Sequence, residues 1–104
     1  MIAPQGQLVR VGVLHTLYVC NRDDAPWDAA ARGEVCGLVG QYFASFTVQD
    51  ALGAFCGTLA PTLAITIGSD DLPRVVALGQ RLRAAYAQEG VGLVSRGEYF
   101  RLVA

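Results

Sequence analysis

A two-layer α+β sandwich, an antiparallel sheet carrying two helices on one face, is the fold this sequence predicts. Two observations carry it. Helical periodicity occupies residues 26–43 and 72–89, and strand-like sequence precedes, separates and follows these stretches. The order strand, helix, strands, helix, strands is the order of such a sandwich.

Each element has its own signal. After a loose lead-in over residues 1–7, alternation over residues 8–20 puts Val9, Val11, Val13, Leu17 and Val19 on one face and Arg10, Gly12, Thr16, Tyr18 and Cys20 on the other. Leu8 and Leu14 keep the second face half apolar, so Thr16 and Tyr18 mark a packing surface for a second subunit. Residues 21–26 read as a turn and helix start, with Asp23, Asp24 and Pro26 where an N-terminus favours acid and proline.

Within the first helix Trp27, Ala31, Val35, Leu38 and Tyr42 form a core stripe. Gly33, Gly37 and Gly40 lie well round from it, and a helical glycine costs about 1 kcal/mol against alanine. Close approach of another backbone would offset that cost, which makes the three glycines candidate interface residues. The alternatives are tolerated defects or a helix break near Gly40.

Residues 45–49 read as a strand, and 50–57 as either its bulged continuation or a hairpin tip. After Pro61, Leu63, Ile65 and Ile67 alternate with Thr62, Ala64 and Thr66. Residues 68–71 end that strand and cap the second helix, whose first turn takes Pro73. Its buried stripe is Leu72, Val75, Val76, Gly79, Leu82 and Tyr86, with Gly90 as the C-cap. Residues 91–94 form a strand, 95–97 a hairpin turn, and 98–103 a final strand.

From Leu8 to Val94 this order resembles the ferredoxin-like, split βαβ arrangement, with the last strand added at an edge. Residues 46–53 with 63–67 are also similar to small uncharacterised bacterial proteins of this architecture. The resemblance implies pairing through sheets or edge strands and selects no activity.

Composition bounds the function. Hydrophobic residues make up 53% and charged residues 16% of a single domain of 104 residues, against about 25% charged in ordinary domains. A chain this short buries only about 60–65% of its open surface, so the excess predicts a homodimer or higher homo-oligomer. A high alanine share is the alternative account of that excess. A net charge of −1 with scattered arginines argues against a nucleic-acid partner. No run reaches the length of a membrane span, and residues 1–7 carry no signal-peptide pattern. Three cysteines without CxxC spacing, Cys20, Cys36 and Cys56, fit reduced thiols in a cytoplasm, with Cys36 and Cys56 as small buried hydrophobes. No cofactor is expected, and one histidine with dispersed cysteines lacks metal-site spacing.

His15 falls among apolar neighbours, where a histidine serves either as a general base or as a hydrogen-bonded core residue. Tyr42 and Tyr86 are its candidate partners around a small ligand, or core aromatics with their hydroxyls at the rim. Residues 68–71 suit a cap better than an anion nest, because two aspartates repel phosphate. No nucleophile-elbow, phosphate-loop, dinucleotide or zinc-protease motif is present. An RNA-binding sheet would need a basic, aromatic-rich central strand that this chain lacks. The expectation is therefore a small non-catalytic, self-associating protein that binds a small ligand or protein partner. The alternative is a cofactor-free enzyme using His15 as base in a pocket between sheet and helices.

Overall fold

The computed structural model describes residues 6–55 and 57–104. The start of the lead-in and Cys56, with its expected burial, lie outside the described residues. The elements are β1 (Val13–Cys20), a 3-10 turn (Arg22–Asp24), α1 (Ala29–Gly40), β2 (Thr47–Phe55), β3 (Thr58–Ser69), α2 (Leu72–Ala85), β4 (Gly90–Ser95) and β5 (Glu98–Val103). The five strands run β2-β3-β1-β4-β5, every neighbouring pair antiparallel. The first four make the ferredoxin-like arrangement, and β5 is the added edge strand.

The core lies between one sheet face and the two helices. Leu17, Val19, Leu63, Ile65, Ile67, Val91 and Leu93 point into it from the strands, and Val35, Val39, Val75, Leu78 and Leu82 meet them from the helices. Each such side chain contributes about 1.5–3 kcal/mol when fully buried. Gly79 lets α2 approach the sheet, since a Cβ there would overlap Leu102 and come within 3.1 Å of Leu17 Cδ2. Arg32 of α1 reaches Asp50 of β2 at 2.9 Å.

Several boundaries differ from expectation for identifiable reasons. β1 starts at Val13 because Gly12, at φ 151°, turns the chain where a Cβ would lie 2.7 Å from the Ser69 backbone. Val9 and Val11 are consequently 71% and 76% exposed instead of facing the core. β2 continues unbulged to Phe55, opposite Thr58, so all of residues 50–55 are strand. Pro61 sits inside β3 just past the last β1 pairing, Cys20 with Thr62, where a missing N–H interrupts no ladder on that side. The β2–β3 ribbon therefore runs on beyond β1. The molecule is elongated, 57 × 27 × 27 Å, with a radius of gyration of 15.3 Å against about 13 Å for a compact chain of this size.

α1 begins after Asp28, whose side chain accepts from the Ala31 N–H at 2.8 Å, and not at Pro26. α2 begins as expected, with Asp71 accepting from the Arg74 N–H, but stops at Ala85. There Ala87 takes φ 50° and the Gln88 N–H donates to the Arg83 carbonyl, a Schellman ending built without glycine. Gly90, expected as the cap, starts β4 instead. Leu72, in the first turn, is 39% exposed and not in the buried stripe. Arg96 and Gly97, at φ 54° and 76°, make the two-residue turn between β4 and β5.

Candidate functional site

Both helices cover the same sheet face, so the opposite face is left to solvent. Strand alternation places Leu14, Thr16, Tyr18 and Cys20 of β1 on that outer face, with Thr62 of β3, Gly92 and Val94 of β4, and Tyr99 and Arg101 of β5. Leu14 and Tyr99 are 66% and 62% exposed.

Two pockets adjoin on this face. The first, about 280 Å³, is walled by Tyr18, Thr62, Val94 and Tyr99 and closed by Ala51, Leu52, Gly53 and Ala54 where β2 passes the end of β1. Its size is near the lower end for small-molecule sites, and its walls are aromatic and aliphatic. Gly92 shapes it: a Cβ there would lie 2.5 Å from Tyr99 Oη and 3.1 Å from its Cζ, so the absence of a side chain lets the phenol lie across the sheet. Tyr18 pairs directly with Gly92, so the two tyrosines come from flanking strands onto one bare stretch of backbone.

The second pocket, about 410 Å³, is polar. Cys20 and Gly90 form its floor, Asp23 and Asp24 come from the 3-10 turn, Ala87, Gln88 and Glu89 from the end of α2, and Arg101 from β5. Gly90 repeats the device of Gly92, because a Cβ there would overlap the Arg101 guanidinium. Asp23, Asp24 and Ala87 are all left-handed, at φ 55°, 53° and 50°. Such residues each cost on the order of 1 kcal/mol and gather where function demands a shape. Thr62 lines the first pocket and Cys20 the second, and their 3.5 Å contact is the partition between them.

The residues singled out from sequence are spread over both faces. His15 is on the helix side, 2% exposed. Its Nε2 is 2.8 Å from the Ser69 carbonyl and its Nδ1 2.9 Å from Ser95 Oγ. A carbonyl only accepts, so Nε2 donates to it and, in the neutral ring, the Ser95 hydroxyl donates to Nδ1. Neither nitrogen is left for a substrate. Tyr42 packs half-buried against the core. Tyr86 is fully buried, edge-on to Trp27 at 5.2 Å and beneath the Arg22 guanidinium at 4.7 Å. Burial, and then the nearby Glu34 carboxylate, push its phenol up to about 12. Among the described residues, Tyr86 Oη and Trp27 Nε1 have no hydrogen-bond partner.

His15, Tyr42 and Tyr86 line neither pocket, and Tyr86 lies beyond the far end of β1, roughly 20 Å along the strand from His15. The two pockets described lie on the outer face and not between sheet and helices. Gly33, Gly37 and Gly40 are exposed, and a Cβ on any of them would touch nothing within the chain. Cys36 is half-buried instead of buried. Tyr18 and Thr16 are on the outer face as predicted, and Tyr18 enters the first pocket. Sequence reasoning missed Tyr99, Arg101, Gly90 and Gly92. No local signal in the sequence marks them; the β4–β5 register brings them together by setting Tyr99 and Arg101 diagonally across from Gly92 and Gly90.

No family model matches the chain, and no curated protein sequence does. Two solved structures share its fold along 98% of its length and 97% of theirs. One is a phage SAM lyase in complex with S-methyl-5'-thioadenosine, at 21% identity and a TM-score of 0.63. The other is a phage SAM lyase in the apo state, at 20% identity and a TM-score of 0.71. The fold of this chain is thus one that an enzyme uses end to end, and this corrects the expectation of a non-catalytic protein.

Proposed function

We propose that this chain is a small cofactor-free enzyme that binds S-adenosylmethionine at the outer sheet face and releases S-methyl-5'-thioadenosine. The observation that carries the reading is the aromatic pocket of Tyr18 and Tyr99, on a fold shared along 98% of the chain with a phage SAM lyase. A flat, partly apolar thioadenosine group suits walls of tyrosine, valine and threonine.

The chemistry asks little of the protein. The substrate carries a sulfonium, and breaking its bond to the amino-acid chain leaves the electron pair on sulfur as a neutral thioether. The carbon set free makes its new bond within its own fragment, to the carboxylate oxygen or, with loss of a β-proton, as an alkene. No external reagent is consumed. Positive charge disperses in the transition state, so a pocket that keeps water off the sulfonium and fixes the reacting conformation aids departure, while the ring faces contribute to binding. His15 takes no part in this reading. Tyr18 and Tyr99 hold and orient the substrate.

Self-association belongs to the same reading. Leu14, Tyr99 and Val103 are each at least half exposed on the outer face, and a second copy over it would remove them from water and close the aromatic pocket. Cysteines without disulfide spacing support a reducing, cytoplasmic setting.

The test is turnover. Purified protein is incubated with S-adenosylmethionine and the mixture resolved by chromatography. S-methyl-5'-thioadenosine is expected to accumulate above the spontaneous rate, and Tyr18→Ala to slow it at least tenfold. A folded wild-type protein that gives only the spontaneous rate contradicts the proposal.

A further inference from the structure

We propose that the polar pocket beside the aromatic one is the subsite for the substrate's amino-acid head, with Arg101 anchoring its α-carboxylate and the facing carboxylates holding its α-ammonium. This rests on the reading proposed above and names the part of the site that recognises the rest of the molecule.

The charges of this pocket are unspent. Four of the eight arginines, Arg10, Arg22, Arg32 and Arg74, are ion-paired with Asp70, Glu34, Asp50 and Asp71, and Asp28 caps α1. Among the described residues that leaves four of the nine acidic side chains outside any ion pair or helix cap, and three of them, Asp23, Asp24 and Glu89, line this one pocket. Arg101 lines it too, and forms no ion pair with them or with any other described residue. Opposite charges that share a concavity without meeting leave room for a group carrying both signs. A zwitterion satisfies both walls, whereas a metal cation would meet the arginine. Among the described residues no three potential ligands are grouped to hold a metal ion.

The pocket's position fits the rest of such a molecule. Cys20 and Tyr18 are two residues apart on β1, as are Gly90 and Gly92 on β4 and Arg101 and Tyr99 on β5. The charged and aromatic halves are therefore one strand repeat apart, about 7 Å, a gap that the four-carbon amino-acid chain on a nucleoside's sulfur can bridge with its terminal carboxylate. Gly90 and Gly92 are the positioning residues, because their bare backbone lets the arginine and the tyrosine lie along the same line.

The subsite predicts a preference that can be read without turnover. S-adenosylhomocysteine keeps the amino-acid head but lacks the sulfonium, and S-methyl-5'-thioadenosine lacks the head. Calorimetric titration of the whole chain with each should give tighter binding of S-adenosylhomocysteine. Arg101→Gln should weaken that ligand about tenfold or more while changing S-methyl-5'-thioadenosine less than twofold, and Arg101→Lys should recover part of the loss. Equal affinity for the two ligands, or equal loss of both in Arg101→Gln, overturns the subsite and leaves the aromatic pocket standing. If neither ligand binds the wild type, the functional reading falls and the subsite with it.

Discussion

The phenol of Tyr99 crosses the backbone of Gly92, so close that a β-carbon on Gly92 would stand 2.5 Å from its hydroxyl oxygen. The conflict would be with the tip of an exposed side chain and not with packed backbone. Gly92→Ala should therefore leave stability within about 0.5 kcal/mol but turn Tyr99 out of the pocket. Binding of S-methyl-5'-thioadenosine should weaken about tenfold, the worth of one aromatic contact. A melting temperature that falls steeply, with affinity intact in the folded fraction, would mean that Gly92 serves packing alone.

Ala87 is a left-handed residue at a helix ending that ordinarily takes glycine. Ala87→Gly should raise unfolding free energy by about 0.5–1 kcal/mol, the relief of the αL penalty less the entropy glycine loses on folding. Urea denaturation measures it directly. A destabilised variant would show that the methyl group's packing outweighs the backbone cost.

Asp70 receives two hydrogen bonds from Arg10, at 2.7 and 2.9 Å, and one from the Val13 N–H at 3.2 Å. The Arg10 bonds hold its carboxyl down to about 2, partial desolvation opposing them and the Val13 N–H adding to them. A pKa below the ordinary carboxylate value of about 3.9 means that the pair's contribution is present above that pH and is lost as pH falls toward 2. Carbon-detected NMR titration should place the Asp70 midpoint near 2 in the wild type, and Arg10→Ala should move it back toward the ordinary range. An unshifted wild-type midpoint would mean the lead-in is not held to β3 in solution.

Sedimentation equilibrium at micromolar concentration should return a mass above the 11.0 kDa of one chain. Leu14→Glu, on the outer face, should lower it. A single 11.0 kDa species at all concentrations removes the second copy from the account.

Much of the fold was legible because the signals were local. Leu63, Ile65 and Ile67 alternate cleanly, the Asp71–Pro73 start of α2 is a cap with a mechanism, and β5 fell where expected. The misses came where a residue did something its type does rarely. Ala87 took the left-handed position that Gly90 advertised, and Gly12 ended a strand whose valines continued the alternation. The site was scarcely legible. His15 drew notice as the lone histidine, yet tertiary contacts with Ser69 and Ser95, distant in sequence, make it structural. Tyr99 and Arg101 became site candidates only through register: pairing with β4 sets them over Gly92 and Gly90, a relation invisible until strand order is known.

The most direct measurement is a nitrogen-15 NMR titration of the whole chain with S-methyl-5'-thioadenosine. The account predicts saturable shifts concentrated at Tyr18, Thr62, Val94 and Tyr99, on the uncovered side of the sheet. Shifts gathered instead around His15 and the helices, or none at millimolar ligand, would contradict it.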